Sequence, residues 1–339
     1  MTYQFFICDV FTKHAFQGNQ LAVVPEASDL SDEQMQQIAH EFNFSETTFV
    51  LPPEQGQTKR VRIFTPTSEV PFAGHPNLGT AFTLYHNGYL GDAQPPLQVV
   101  FEEKAGLVPV TITHPGNGHP FFELQAPTLL SLGVEISLES VSQALNLPSS
   151  AIRSDRHRPQ LASVGLPFLM VELKDREALE KARPNLDAFQ VLQAQGVAMM
   201  HLYVHSEDEF DLRTRMFAPL DGVTEDPATG SANCALAGLL AHLDDAVDRD
   251  YGWRIAQGVE MGRPSELSPG KQAKRCGNHH LDWWELHPSS RRHARYLRAN
   301  SPLSLDCEVE NDFQQRHESS KNLVIPGILQ SSSVATSTN

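Results

Sequence analysis

Cysteine is scarce, with four in 339 residues, at positions 8, 234, 276 and 307. Such scatter argues against a disulfide scaffold and fits a reducing, cytoplasmic setting. Long apolar runs are missing. None approaches the ~20 residues of a membrane span, and the N-terminus lacks a signal peptide's basic start and apolar core. Positive charge is also short: 26 Lys+Arg stand against 41 Asp+Glu, a formal net charge of −15. That balance argues against nucleic acid and anionic membranes as partners. Apolar residues at 40% and charged residues at 20% suit a soluble globular protein, and the length allows about two domains with real cores.

Secondary-structure signals alternate along the chain. Tyr3–Phe11 is apolar and β-prone, and Leu21–Val24 reads as a second strand after the turn Phe16–Gln20. Ser31-Asp32-Glu33-Gln34 is a capping box, and Met35, Ile38, Ala39 and Phe42 follow at helical spacing. Strands are expected at Glu46–Leu51, Lys59–Thr65, Leu97–Glu102, Leu107–Thr113 and Pro120–Gln125, with a helix after Gly74 that Gly88 closes. Residues 126–136 read as a connector. Beyond it come helices near Leu138–Leu145 and Leu186–Gln195. Strands follow at Ala162–Gly165, Phe168–Leu173, Ala198–Val204, Phe210–Phe217 and Trp253–Ala256.

Glu225-Asp226-Pro227-Ala228-Thr229-Gly230-Ser231 opens a small-residue helix. Ser231 reads as its N-cap, and Gly230 lets a ligand approach the backbone closely. A helix N-terminus of this kind suits a carboxylate, which leaves Asp226 a proton-handling role. Glu46, just after Phe42 and Phe44, is a carboxylate among apolar groups, where its pKa would rise; the alternative is a solvated strand-end Glu. His75 is a candidate acid–base group or a helix N-terminal residue bonded to backbone.

The two halves echo each other. Arg62-Ile63-Phe64-Thr65-Pro66 matches Arg215-Met216-Phe217-Ala218-Pro219. Each leads through an acidic loop to a Gly-polar step, Gly74-His75 or Gly230-Ser231, and then to a small-residue helix. A strand–loop–helix unit recurring about 150 residues apart points to duplicated domains. If these face each other, two helix N-termini converge on one cleft and proton-transfer groups stand on opposite faces of a carbon. Such a cleft suits a cofactor-free racemase, epimerase or isomerase.

Six stretches, in order, resemble the phenazine-biosynthesis PhzF-like family of the diaminopimelate-epimerase-like fold. They are Asp9-Val10-Phe11 with Gly18–Val24, Ser45–Phe49, Gly74-His75-Pro76, Gly165-Leu166-Pro167, Asp226–Ala232 and Gln257–Ser265. The resemblance spans residues 1–266. It implies an α/β (α+β) chain of two similar pseudo-symmetric domains, 1–126 and 127–266, each a curled mixed sheet around a central helix. It also implies a homodimer and a cleft between the domains; the converging helix N-termini lead us to expect a small carboxylate-bearing substrate there, with no cofactor and no metal. The family's catalytic carboxylate falls on Glu46, its supporting groups on His75, Asp226 and Ser231, and its substrate-holding backbone on Gly74 and Gly230. Glu46 would remove a proton from an acidic carbon and return it elsewhere. The alternative is a non-catalytic member that binds a small anion or a protein through the same cleft. The thiol-pair racemases of this fold are a poorer match, because Ala73 precedes Gly74 and neither glycine step carries a thiol; Cys8 and Cys234 read as core.

The resemblance stops near Glu266. Residues 267–339 lack the alternating strands and Gly-Gly turn that family members carry there, hold five of the fifteen His, and have a net charge of about +2 against about −17 for the rest. From Gln330 the chain is Ser/Thr-rich and reads as disordered. The segment reads as a frame-shifted or replaced terminus. Cys276, His279, His280 and Cys307 match no standard metal-ligand spacing.

Overall fold

A computed structural model describes residues 2–114, 120–126, 128–244 and 250–268, together with two short strands at 272–273 and 322–324. No helix among the described residues is long and apolar enough to cross a membrane.

The first half runs β1 (Thr2–Gln4), β2 (Phe6–Val10), β3 (Asn19–Val24), α1 (Asp32–Phe42), β4 (Glu46–Leu51), β5 (Lys59–Phe64), β6 (Glu69–Val70), α2 (Gly74–His86), β7 (Leu97–Glu103), β8 (Gly106–Thr113) and β9 (Phe121–Leu124). The second runs β10 (Ser131–Glu135), α3 (Leu138–Leu145), β11 (Gln160–Ser163), β12 (Pro167–Glu172), α4 (Arg176–Lys181), α5 (Leu186–Gln193), β13 (Met200–His205), β14 (Leu212–Ala218), β15 (Val223–Asp226), α6 (Gly230–Leu243), β16 (Asp250–Tyr251), β17 (Ile255–Gln257) and β18 (Ser265–Leu267).

Each half is one mixed sheet. The first has the order β2-β3-β4-β5-β7-β8-β9 with β6 on β5, and the second β10-β11-β12-β13-β14-β17-β18 with β15 on β14. Parallel pairs fall at matching places: β3/β4 and β5/β7 in one, β12/β13 and β14/β17 in the other. A parallel pair needs a crossover, and each half has two. One crossover carries helices outside the sheet (α1; α4 and α5), the other a helix within its curl (α2; α6). The repeat seen in the sequence is therefore a repeat of topology, and the α+β architecture is as expected.

Helix chemistry follows this placement. α1 starts at a complete Ser31/Gln34 capping box and buries Met35, Ile38 and Ala39 in an outer cluster with Phe5, Phe49 and Phe64. α2 is buried all round from His75 to Leu84, and α6 from Ala232 to Ala241, as a helix enclosed by a sheet must be. Small residues make that enclosure possible: a Cβ on Gly79 would stand 2.6 Å from Leu21. One continuous core joins the halves, from Val10, Leu21 and Leu78 through to Phe168, Leu236 and Leu239.

Three expectations need correction. Residues 126–136 are not merely a connector, since β10 pairs with β11; all five of its residues are exposed, so it has no inward–outward alternation to read. The six-residue α4 was not foreseen. Ser231 is not the N-cap of α6: Thr229 holds that position, the helix starts at Gly230, and Ser231 lies in its first turn. Past Ser268 only the backbone of β19 (Gln272–Ala273), paired with β16, and β20 (Asn322–Val324), paired with β1, is described. The frame-shift reading of 267–339, the disorder from Gln330, and Cys276, His279, His280 and Cys307 lie outside the described residues.

Candidate active site

Both central helices begin without a side-chain cap. Their N-termini abut, and a Cβ on Gly74 would stand 4.0 Å from the Ser231 backbone nitrogen. The free N–H groups and positive dipole ends of α2 and α6 thus meet at Gly74 and Gly230. Phe72, Leu124, Val164, Leu166, Ser231 and Cys234 line the adjoining cleft.

A polar cluster stands at the same junction. Glu46 begins β4, and its side chain is 18% exposed. Its Oε2 lies 3.5 Å from His75 Nε2, and neither atom has a hydrogen-bond partner. Burial lowers the His75 pKa to about 3, against a backbone hydrogen bond at Gln20, so the ring is neutral. Burial raises Glu46 well above the usual carboxylate range, and the nearby Asp226 raises it further. Two buried atoms facing each other without a partner can share one proton.

Asp226, at the end of β15, is only 5% exposed. Burial raises its pKa too, but three donors act in the opposite sense: Thr229 Oγ1, Ser45 Oγ and Asn19 Nδ2. Ser45 Oγ donates to Oδ1 at 2.7 Å, Asn19 Nδ2 donates to the same oxygen at 2.8 Å, and Thr229 Oγ1 donates to Oδ2. Asn19 Nδ2 also donates to the Ala228 carbonyl at 2.9 Å and lies 3.3 Å from His75 Nδ1. One amide therefore ties β3 of the first half to the acidic loop of the second.

The six residues expected from the sequence all lie at this junction. Glu46, His75 and Asp226 form the polar cluster, while Gly74, Gly230 and Ser231 form the two helix starts. Asn19, Ser45, Thr229 and Gln257 had been given no role, although each sits inside a stretch that carried the resemblance. Cys8 and Cys234 are buried, and burial pushes the Cys8 thiol up to about 12 and Cys234 up as well, so neither is a thiolate at neutral pH. Among the described residues no group of three or more His, Cys, Asp or Glu is arranged to hold a metal ion.

The same frame places other residues on the opposite side. Thr47 pairs with Phe64 on β5, and Met200 pairs with Phe217 on β14, so Met199 occupies the position equivalent to Glu46. By the same register Val70 corresponds to Asp226, and the Gly-polar steps make Ser231 the counterpart of His75. Arg62 grips Glu69 through two parallel bonds just as Arg215 grips Glu225. The scaffold is symmetric and its cluster of ionisable groups is not.

Comparison with known proteins gives a consistent result. The family model described as phenazine biosynthesis-like protein matches residues 8–278. An uncharacterized isomerase of Mesorhizobium japonicum is 37% identical over 275 residues, covering 78% of this chain and 89% of that protein. The trans-2,3-dihydro-3-hydroxyanthranilate isomerase of Pseudomonas aeruginosa is 35% identical over 268 residues, covering 78% and 89%. Among solved structures, a Bacillus anthracis phenazine biosynthesis protein of the PhzF family superposes with a TM-score of 0.73 at 26% identity, covering 85% of this chain and 94% of that one.

Proposed function

The chain belongs to the phenazine biosynthesis-like family of isomerases, and from that premise we propose that it moves a proton within a small carboxylate-bearing substrate without a cofactor. The abutting N-termini of α2 and α6 would hold the substrate carboxylate at Gly74, Gly230 and Ser231. Glu46 would take a proton from an acidic carbon and return it at another, shifting a double bond. His75 would hold that proton's other end, and Asp226 would keep the neighbouring charge.

The observation that carries this reading is a pair of unpartnered atoms, Glu46 Oε2 and His75 Nε2, set 3.5 Å apart beside the helix starts. A two-base racemisation needs a proton carrier on each face of the carbon. The position equivalent to Glu46 is Met199, whose thioether carries no proton. That favours removal and return on one face, an allylic shift rather than an inversion, over the two-sided exchange expected from the repeat alone. We further propose a homodimer as the working unit, as the family resemblance implies.

Solvent deuterium incorporation into carboxylic acids with an acidic carbon, presented singly to the full chain, tests this reading. Glu46→Gln should retain binding and lose exchange by about 10²–10⁴-fold. Binding with no exchange in the native chain would establish instead a non-catalytic anion-binding protein. Unchanged exchange in the variant would remove Glu46 from the mechanism.

A further inference from the structure

Behind Asp226 a run of polar side chains crosses the interior of the second half, and two backbone contacts fix its direction. Gln257 Nε2 donates to the Asp226 carbonyl at 2.8 Å, and Gln257 Oε1 accepts from the Thr229 amide at 3.1 Å. Since a carbonyl only accepts and an N–H only donates, the Gln257 amide has one allowed orientation. Asn233 Nδ2 then donates to Gln257 Oε1 at 2.7 Å and to the Thr229 carbonyl at 3.0 Å, which turns its Oδ1 the other way. That oxygen lies 3.1 Å from His201 Nε2, so His201 must carry its proton there and donate it. At the near end Gln257 Nε2 donates to Thr229 Oγ1 at 3.0 Å, leaving the Thr229 hydroxyl to donate to Asp226 Oδ2.

Every hydrogen along this route therefore points the same way: His201 to Asn233, Asn233 to Gln257, Gln257 to Thr229, Thr229 to Asp226. Bonds in series polarise one another when their donors align. His201, Asn233 and Gln257 are each 0% exposed, so water does not interrupt the line.

The first half is an internal control. By strand register Glu103 stands where Gln257 does, and Thr48 where His201 does, while Asn77 corresponds to Asn233 by its place in the helix and its bond back to the residue before the helix, Ala73 or Thr229. There the line is broken. Thr48 bonds to Thr80, Glu103 and Asn77 Oδ1 have no partners, and Ala73 and Val70 stand in place of Thr229 and Asp226. The same scaffold folds without the chain where no acid stands at its end. The chain is thus matched to Asp226 rather than to the fold.

We propose that His201, Asn233 and Gln257 are positioning residues, a one-way line of donors that keeps Asp226 the charged member of the Glu46–Asp226 pair and so leaves the mobile proton on Glu46. This rests on the proposed role of Glu46. The groups acting on Asp226 are Glu46 from β4, Glu225 from its own strand, and the donors Asn19, Ser45 and Thr229; His201 is governed by burial, which lowers its pKa to about 4, and by the Asn233 amide. It is therefore a neutral donor across the working range.

The test is carboxyl ¹³C NMR titration of Asp226 and Glu46 in the full chain, assigned with Asp226→Asn and Glu46→Gln. His201→Leu removes the nearer of the two donors to Asn233 Oδ1, leaving Thr214 Oγ1 at 3.3 Å, and should move the Asp226 midpoint up by about half a pH unit, whereas His201→Gln keeps an N–H donor and should restore it. The pH profile of Glu46-dependent exchange should move with it. Gln257→Glu imports the residue of the first half, replaces a donor with an acceptor, and should raise Asp226 by about one unit or more. It serves should His201→Leu not fold. An unmoved Asp226 midpoint in either folded variant, or a His201→Gln protein that behaves like the Leu variant, overturns the proposal. The titration needs no substrate. The chain can therefore fail while Glu46 remains essential to exchange, and the exchange reading can fail while the titration still shifts.

Discussion

Glu103 and Gln257 occupy one and the same position in the two halves, and only one of them is satisfied. Gln257 uses both ends of its amide in hydrogen bonds. Both carboxyl oxygens of Glu103 are buried without a partner, and burial pushes its pKa up to about 8 despite the nearby Asn77 amide. A carboxyl raised in the folded state stabilises the fold fully below its unfolded value of 4.5, and that contribution is lost as pH rises through 8. Glu103→Gln removes the ionisation. We expect little change in stability at pH 4.5 and a gain on the order of a few kcal/mol at pH 9. Thermal melts of the two proteins across that range check it, and parallel curves would show that Glu103 is not protonated in the native protein.

Gly74 offers a test of the proposed carboxylate site that leaves Glu46, His75 and Asp226 untouched. A methyl there would stand 4.0 Å from the Ser231 nitrogen, an ordinary contact, so Gly74→Ala should fold normally. The methyl would nonetheless occupy the gap between the two helix starts, where a carboxylate would sit. Binding of carboxylic acids should weaken by about tenfold or more, the loss of about 1.4 kcal/mol, with the melting temperature within a few degrees of the parent. Unchanged affinity, measured by calorimetry, would move the carboxylate elsewhere.

How much could be read beforehand depended on whether the signal was local. The Ser31 capping box is short-range chemistry, and α1 lies where that chemistry puts it. The small-residue runs after Gly74 and Gly230 marked helices that a sheet can wrap. β10 escaped because a strand exposed on both faces has no period. Thr229 displaced Ser231 at the start of α6 because the helix begins two residues early, with the Thr229 hydroxyl turned to Asp226 instead of capping the helix. The bond from Asn19 to Asp226 spans 207 positions, and no local pattern encodes it. Gln257 and His201 were unassigned for the same reason: their roles exist only once β13, β17 and α6 pack together.

Asn19 makes a sharper prediction than its size suggests. It is 1% exposed, and its amide touches His75, Asp226 and the Ala228 carbonyl. Asn19→Ala removes one of three donors from Asp226, so charge on that carboxylate becomes less favourable. Exchange should fall by about 10- to 100-fold, with a stability loss of about 1–3 kcal/mol from the unsatisfied acceptors. Asn19→Asp should be worse, because a carboxylate there would face Asp226 directly. If Asn19→Asp is as active as the native chain, the bridge between the halves does not organise the site.

Arg263 makes another bridge between the halves, and its loss separates stability from coupling. Its Nη2 donates to Asp9 Oδ1 at 2.6 Å and to the Gln17 carbonyl at 2.8 Å, and its Nε donates to the Gly18 carbonyl at 2.9 Å. Gly18 N in turn donates to the Pro264 carbonyl at 3.1 Å. The planar guanidinium fits this set, and a lysine cannot reproduce it. Arg263→Ala should cost about 2–4 kcal/mol, with Arg263→Lys intermediate, because Asp9 is 6% exposed and loses a charged partner. Unfolding in urea should nonetheless stay a single transition, since the apolar core runs unbroken from Leu21 and Leu78 to Leu236 and Leu239. Two separate transitions would mean that the polar clasp, rather than the shared core, couples the halves. Exchange should fall with Arg263→Ala as well, because Gly18 precedes Asn19 and any shift of that hairpin carries the Asn19 amide away from Asp226.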